Sequence, residues 1–168
     1  MIREGEQLAV VYATAEESAT GQPLTFTQED LRSFMATKAA ANTMVSYLLD
    51  SLGLDLGQIA HFNAAGAFGV HLNLESAITI GLYPDLPREK FRVLGNTSLA
   101  GARMLLLDRN LLQTALDCPQ QVVYQSLADS KDFLHQMQAA MFLPHTQLVA
   151  YPTLKAELQR RGLLPTVS

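Results

Sequence analysis

Residues 59–69 read Ile-Ala-His-Phe-Asn-Ala-Ala-Gly-Ala-Phe-Gly, and residues 91–102 read Phe-Arg-Val-Leu-Gly-Asn-Thr-Ser-Leu-Ala-Gly-Ala. Each stretch starts as a short apolar-rich run and ends in a bend of small residues. The pattern predicts strands over Ile59–Ala64 and Phe91–Leu94. One bend comprises Ala65, Gly66, Ala67, Phe68 and Gly69. The other starts at Gly95 and Asn96, with Thr97 or Ser98 capping a small-residue-rich helix, Leu99–Leu107. Strand ends that turn through glycine into a helix are where open α/β sheets bind ligands. Small side chains let a ligand approach the backbone, and unpaired N–H groups at a helix start can meet phosphate or ribose oxygens. The same residues also read as capped turns whose small side chains merely allow tight packing. Neither segment has the spacing of a P-loop or of a GxGxxG fingerprint.

Outward from these bends, the chain alternates strand and helix signals. Gln7–Ala13 reads as a buried strand, and Leu24–Phe26 as a second one after a turn through Gly21 and Pro23. Thr27-Gln-Glu-Asp30 is a capping box, which opens a long helix carrying Leu31, Phe34, Met35, Met44, Val45, Leu48, Leu49 and Leu52 at helical spacing. Gly53 stops it. Asn73 caps a short helix over Leu74–Gly81, and Pro84 with Pro87 marks a turn. Further on, the pattern predicts a helix over Asp108–Asp117, a strand over Val122–Leu127 and an amphipathic helix over Ser130–Phe142. A short charged helix from Pro152 and a loose end complete the chain. Strands alternating with helices after a leading strand indicate an α/β fold with some parallel pairing.

Composition narrows the functional classes. A chain of 168 residues, 48% hydrophobic and 17% charged, has the length and apolar content for one globular domain. No apolar run reaches the roughly 18 residues that a membrane-spanning helix requires. A net charge of −4, with Arg160 and Arg161 as the only basic cluster, argues against a nucleic-acid face. The single cysteine, Cys118, cannot by itself hold an iron–sulfur cluster, which takes four ligands. With no export signal at the start, the expected compartment is cytoplasmic.

Few side chains stand out for chemistry. Lys38 lies on or near the apolar stripe of the long helix, and the ordinary expectation is a snorkelling stem with its ammonium in water. His61 and His71 have no metal-binding spacing and read as structural histidines, so no metal site is expected. Glu75 and Asp85 lie near the glycine bends; a magnesium or ribose role stands against the default of solvated loop carboxylates. Cys118 lacks a nearby histidine and has little claim as a nucleophile. The catalytic residues are not assignable from spacing, and a sugar-kinase-like phosphotransferase is disfavoured because no acid/base residue can be placed.

Taken in order, five segments resemble one family: Thr27-Gln-Glu-Asp-Leu31, Lys38-Ala-Ala40, Ala64-Ala-Gly-Ala-Phe-Gly69, Ala77 through Ile80-Gly-Leu-Tyr-Pro-Asp85, and Gly95-Asn-Thr-Ser-Leu-Ala-Gly-Ala102. They are similar to the C-terminal region of the reductive activators of corrinoid proteins, and Asp132-Phe133 and Met141-Phe142-Leu143-Pro144 match that region's ending. The resemblance runs from about Leu24 to Pro144. It implies one lobe of an actin-like (ASKHA, ribonuclease H-like) ATPase over residues 1–144, a mixed sheet with helices on its faces. Residues 145–168 would then be an extension with a short helix.

The resemblance further implies a protein that uses ATP and Mg to drive an electron onto a cob(II)alamin centre. Ala65, Gly66, Ala67, Phe68 and Gly69 would take the adenosine position, with Gly95, Asn96, Thr97 and Ser98 beside them. A 2Fe–2S cluster would sit on an N-terminal ferredoxin domain. This sequence lacks that domain's cysteines, a recognisable first lobe and a DxGxT-like phosphate loop. The expectation is therefore an excised fragment or a short relative, inactive alone. Its implied partners are those missing parts and a corrinoid protein or corrinoid-dependent methyltransferase, with a homodimer also in view. A non-catalytic interaction or dimerisation module that keeps the lobe fold is the alternative.

Overall fold

The computed structural model describes residues 2–4, 7–126 and 132–164. Its strands fall into two sheets. The first is antiparallel, with β1 (Ile2–Glu4) on β2 (Gln7–Ala13) and β2 on β3 (Leu24–Thr27). Val10 lies opposite Phe26, and the register shifts between Val11 and Ala13.

Helix α1 (Gln28–Leu52) follows β3 directly. Its start is the expected capping box: Asp30 N–H donates to Thr27 Oγ1 (3.1 Å), and Thr27 N–H donates back to Asp30 Oδ2 (2.8 Å). Gly53, at φ 64°, ends it, and Leu54 N–H closes on Leu49 O.

The second sheet pairs β4 (Phe62–Ala65) with β5 (Phe91–Gly95) in parallel. Between them lie α2 (Gly66–His71), α3 (Leu74–Thr79) and a turn rich in Leu and Pro. Strand β4 starts later than its apolar run suggests because Leu56–Gln58 winds into a 3₁₀ turn. Asn73 caps α3 as expected, its side chain accepting from Ser76 N–H (2.9 Å). The helix stops at Thr79, and Gly81 takes φ 75° just beyond.

After β5 come α4 (Thr97–Leu107), α5 (Leu111–Asp117), α6 (Phe133–Ala140) and α7 (Pro152–Arg160). Val122 to Ser126, expected to be a strand, is irregular, and Leu127 lies outside the described residues. Val122, Val123 and Tyr124 stand exposed, and β-propensity without a neighbouring strand does not make a ladder. The expected helix over 130–142 is shorter as well: Ser130 falls outside the described residues, and Met141 and Phe142 follow the end of α6.

The core lies between α1, α3 with the turn after it, the end of α6 and the C-terminal segment. Ala39, Ala77, Ile78, Leu82, Leu86, Ala140, Tyr151 and Leu154 are its buried apolar residues, beside buried Lys38, Thr43 and His145. Residues beyond 144 thus contribute His145, Tyr151 and Leu154 to that core.

Candidate functional site

The parallel ladder decides where the two bends lie. Phe62 pairs with Phe91, Asn63 with Arg92, Ala64 with Val93 and, after a one-residue shift, Ala65 with Gly95. Both strands therefore run out at the same end, and the two glycine bends sit side by side there. The opposite ends are joined by rings: Phe62 lies 5.3 Å from Phe91 and 5.0 Å from Tyr83, centroid to centroid.

The glycines in these bends have different physical reasons. Gly66 and Gly95 hold φ 87° and 67°, the left-handed region that a side chain disfavours. Space above each is open, with no atom within 4 Å of a built Cβ. Gly69 is buried, and a Cβ there would meet Ala64 Cβ at 3.2 Å, so glycine is what lets α2 lie on β4. Phe68 projects outward and shares a shallow apolar depression with Ala67, His71 and Leu72.

At the second bend the cap is Asn96, where Thr97 or Ser98 had been expected. Asn96 Oδ1 accepts from Leu99 N–H (2.9 Å), and Asn96 O accepts from Ala100 N–H (3.0 Å). A side-chain oxygen three residues before the N–H it binds fixes the cap, and this shifts the helix start forward to Thr97. Thr97 and Ser98 occupy the first turn, exposed, and their N–H groups precede the first intrahelical bond.

The other side chains singled out in the sequence do something else. Lys38 is 1% exposed rather than snorkelling. Its Nζ donates to Ile80 O (2.8 Å) and Phe142 O (2.7 Å). Ile80 caps the end of α3, and Phe142 follows the cap of α6. The ammonium thus sits at two helix C-termini, whose partial negative charge compensates a buried cation that pairs with no carboxylate among the described residues. Burial nonetheless holds its pKa down to about 8.

One turn along α1, Asn42 Nδ2 donates to Gly81 O (3.1 Å) and to the Tyr151 hydroxyl. Burial drives the Tyr151 phenol up to about 12 despite the bond from Asn42.

Asp85 and Glu75 are ion-paired rather than freely solvated. Arg88 grips Glu75 through two bonds of 2.8 Å and donates to Asp85 Oδ1 (2.9 Å). Asp85 also accepts the N–H (2.7 Å) and the hydroxyl (2.6 Å) of Thr153, so a carboxylate meets the first turn of α7. Burial pushes the Asp85 carboxyl up, but the bonds from Thr153 and Arg88 outweigh it and leave its pKa below the usual range. These partners occupy the carboxylates that were candidates for magnesium or ribose.

His61 and His71 are exposed, and among the described residues no group of three or more His, Cys, Asp or Glu is placed to hold a metal ion. Sequence reading missed Asn42, Tyr151 and Thr153. The one available signal was that Lys38 and Asn42, four residues apart, put two polar groups on a helix face otherwise directed inward.

A family model described as the C-terminal domain of RACo, the ASKHA domain, matches residues 1–155. The chain belongs to this family. As an ASKHA domain it is similar to a solved structure titled reductive activator for corrinoid,iron-sulfur protein. The TM-score is 0.83 at 37% identity, covering 90% of this chain and 24% of that one. It is also 28% identical over 142 residues to the corrinoid activation enzyme RamQ of Eubacterium limosum, covering 84% of this chain and 24% of that protein. The ASKHA domain described here thus spans about a quarter of the length of the relatives it matches. Among its described residues no helix is long and apolar enough to cross a membrane.

Proposed function

We propose that this ASKHA domain is a nucleotide-binding lobe within a larger ATP-dependent activator of a corrinoid protein, inactive as this chain alone. The observation that carries the reading is the register of Ala65 with Gly95, which puts two open glycine bends next to each other. Adenine and ribose would lie over Gly66, Ala67 and Gly95, with Phe68 as an apolar neighbour. The N–H groups of Thr97 and Ser98, at the start of an eleven-residue helix, would meet ribose or phosphate oxygens.

The residues fit the nucleotide and leave the metal to other groups. Mg would be held by the phosphates and by another part of the protein, because Asp85 and Glu75 are committed to Arg88 and Thr153. A 2Fe–2S cluster does not fit here, since Cys118 is the only thiol. The described chain's contribution is to bind and orient, and ATP supplies the free energy.

Calorimetry of ATP with Mg against the longest natural gene product tests this reading. Binding that falls at least tenfold in Gly95→Val supports it, and an absence of binding in the parent removes it. A second reading, a non-catalytic interaction or dimerisation module, is favoured by the exposed leucines of α4. It predicts normal partner capture with no nucleotide affinity.

A further inference from the structure

Asn42, Val45, Ser46, Leu49 and Asp50 share one face of α1 at helical spacing and line a cavity of about 200 Å³. Gln136 of α6, Leu56, Pro84 and the segment from His145 to Tyr151 complete it. The volume is below the roughly 300–1,000 Å³ of sites for drug-sized molecules, so its ligand is small. None of the lining residues belongs to the glycine bends.

Asp50 is the one charged side chain in that lining, because the His145 ring is neutral where its Nδ1 accepts from Gln147 N–H. Among the described residues no Lys or Arg pairs with Asp50. Lys38 stands twelve residues earlier on α1, about 18 Å along the helix axis, and its ammonium is taken by Ile80 O and Phe142 O. Lys90 reaches Gly57 O (3.0 Å) in an adjoining groove that shares Ser46 and Asp50 and adds Asp55, but it pairs with neither carboxylate. The contact that Asp50 does make is with Gln136, whose Nε2 donates to Asp50 Oδ2 at 3.2 Å. A carboxylate only accepts, so Gln136 must turn its NH₂ that way, and Gln136 Oε1 is left buried with no donor. A buried acceptor without a donor, beside a carboxylate without a cation, calls for a group that brings both N–H bonds and positive charge.

We infer that this cavity binds a small primary alkylamine, its ammonium bridging Asp50 and Gln136 and its hydrocarbon stem lying on Val45, Leu49, Leu56 and Pro84. The ammonium donates to Asp50 Oδ1 and to Gln136 Oε1, which reaches the cavity by rotation of the terminal amide, a soft torsion in glutamine. The apolar side chains beside Asp50 suit a short alkyl stem, and such an amine is protonated at neutral pH, as lysine is with a pKa of about 10.4. A metal ion fits less well: among the described residues no group of three or more His, Cys, Asp or Glu is placed to hold one. A quaternary ammonium has the charge but no N–H to offer the two oxygens. The site stands on α1, α6 and the C-terminal segment, and it requires nothing of the nucleotide reading.

The test is saturation-transfer-difference NMR of n-butylammonium with the longest natural gene product at pH 7, alongside n-butanol and butyltrimethylammonium. The expected result is saturable butylammonium binding, with both analogues at least tenfold weaker. Asp50→Asn, which keeps the side chain's shape at an exposed position, should weaken butylammonium at least tenfold. Glu89→Gln, which removes an exposed carboxylate elsewhere, should bind as the parent does. Gln136→Leu removes the orphaned acceptor and reads the same site if Asp50→Asn proves unstable; it too should weaken binding. No saturable signal at tens of millimolar overturns the inference, because the cavity then holds water only. Butanol or butyltrimethylammonium binding as well as butylammonium overturns it, since apolar contact or bare charge would then suffice. Equal binding by the parent, Asp50→Asn and Gln136→Leu also overturns it. So does Nα-acetyl-lysine methylamide binding tenfold tighter than butylammonium, because the occupant is then a lysine side chain of a protein partner. Calorimetry with ATP and Mg reports separately on the nucleotide reading, so either can fail without the other.

Discussion

Replacing Lys38 with methionine tests the architecture at its most unusual point. Methionine keeps the stem's length and removes the ammonium. Two charge-assisted bonds vanish, at 2.8 and 2.7 Å, and the carbonyls of Ile80 and Phe142 are left without that donor beside the core. Each carbonyl so orphaned costs about 1–3 kcal/mol. Against this, the protein no longer buries a charge, which returns part of the loss. The net expectation is a destabilisation of about 2–4 kcal/mol, where each 1.4 kcal/mol is about tenfold in the folding equilibrium. Urea titration followed by far-ultraviolet circular dichroism measures it, with exposed Arg32→Met as a control expected to stay within about 0.5 kcal/mol.

The pH dependence supplies a signature that packing alone would not. Lys38 has its folded pKa lowered to about 8 from 10.5, so between those values the unfolded chain binds more protons. Stability must then rise with pH from about 8 upward, and Lys38→Met must lack that rise. The comparison belongs below pH 10. Above that, Tyr151, whose folded pKa is raised to about 12, reverses the trend because the unfolded chain loses its phenolic proton first. A Lys38→Met variant as stable as the parent, with the same slope, would refute the buried-ammonium reasoning.

Other consequences are independent of Lys38. Thr153→Val removes the 2.6 Å hydroxyl bond to Asp85 while keeping the backbone bond, and should lower stability by about 1–2 kcal/mol in the same titration; no change would mean that this junction is not formed. Gly69→Ala forces a Cβ to 3.2 Å from Ala64 and should cost about 1–3 kcal/mol, whereas Gly57→Ala, with open space around it, should be nearly silent. His145 is buried, and its Nδ1 accepts Gln147 N–H at 3.0 Å, which only the neutral ring can do. Burial, with Lys38 nearby, lowers its pKa, so the unfolded chain takes up the proton first. Stability should fall as pH drops through about 6.5. His145→Asn should flatten that acid limb, and an unchanged limb would assign it to other groups.

Local chemistry was legible in the sequence, and long-range closure was not. The Thr27–Asp30 box and the Asn73 cap are fixed by residues three apart, so spacing alone placed them. The two strand-to-bend stretches were legible for the same reason, because β4 and β5 carry compact apolar runs ending in glycine. The helix from Pro152 was legible from its proline start, but its docking was not, because the helix has little apolar patterning. What holds it are bonds between residues 109 apart (Asn42 and Tyr151) and 68 apart (Asp85 and Thr153). Lys38 misled in the same way: its expected escape to water is closed by Phe142, 104 residues further on. Val122 to Tyr124 shows the converse, β-branched and aromatic residues with no partner strand among the described residues to use their propensity.

Whether the paired bends form the adenosine wall is best decided by photolabelling the longest natural gene product with 2-azido-ATP and Mg and mapping the modified peptides by mass spectrometry. The account predicts label within residues 65–69 or 95–98, suppressed by unlabelled ATP and lost in Gly66→Val. Competed label confined to other regions of the protein, with these peptides clean, would contradict it.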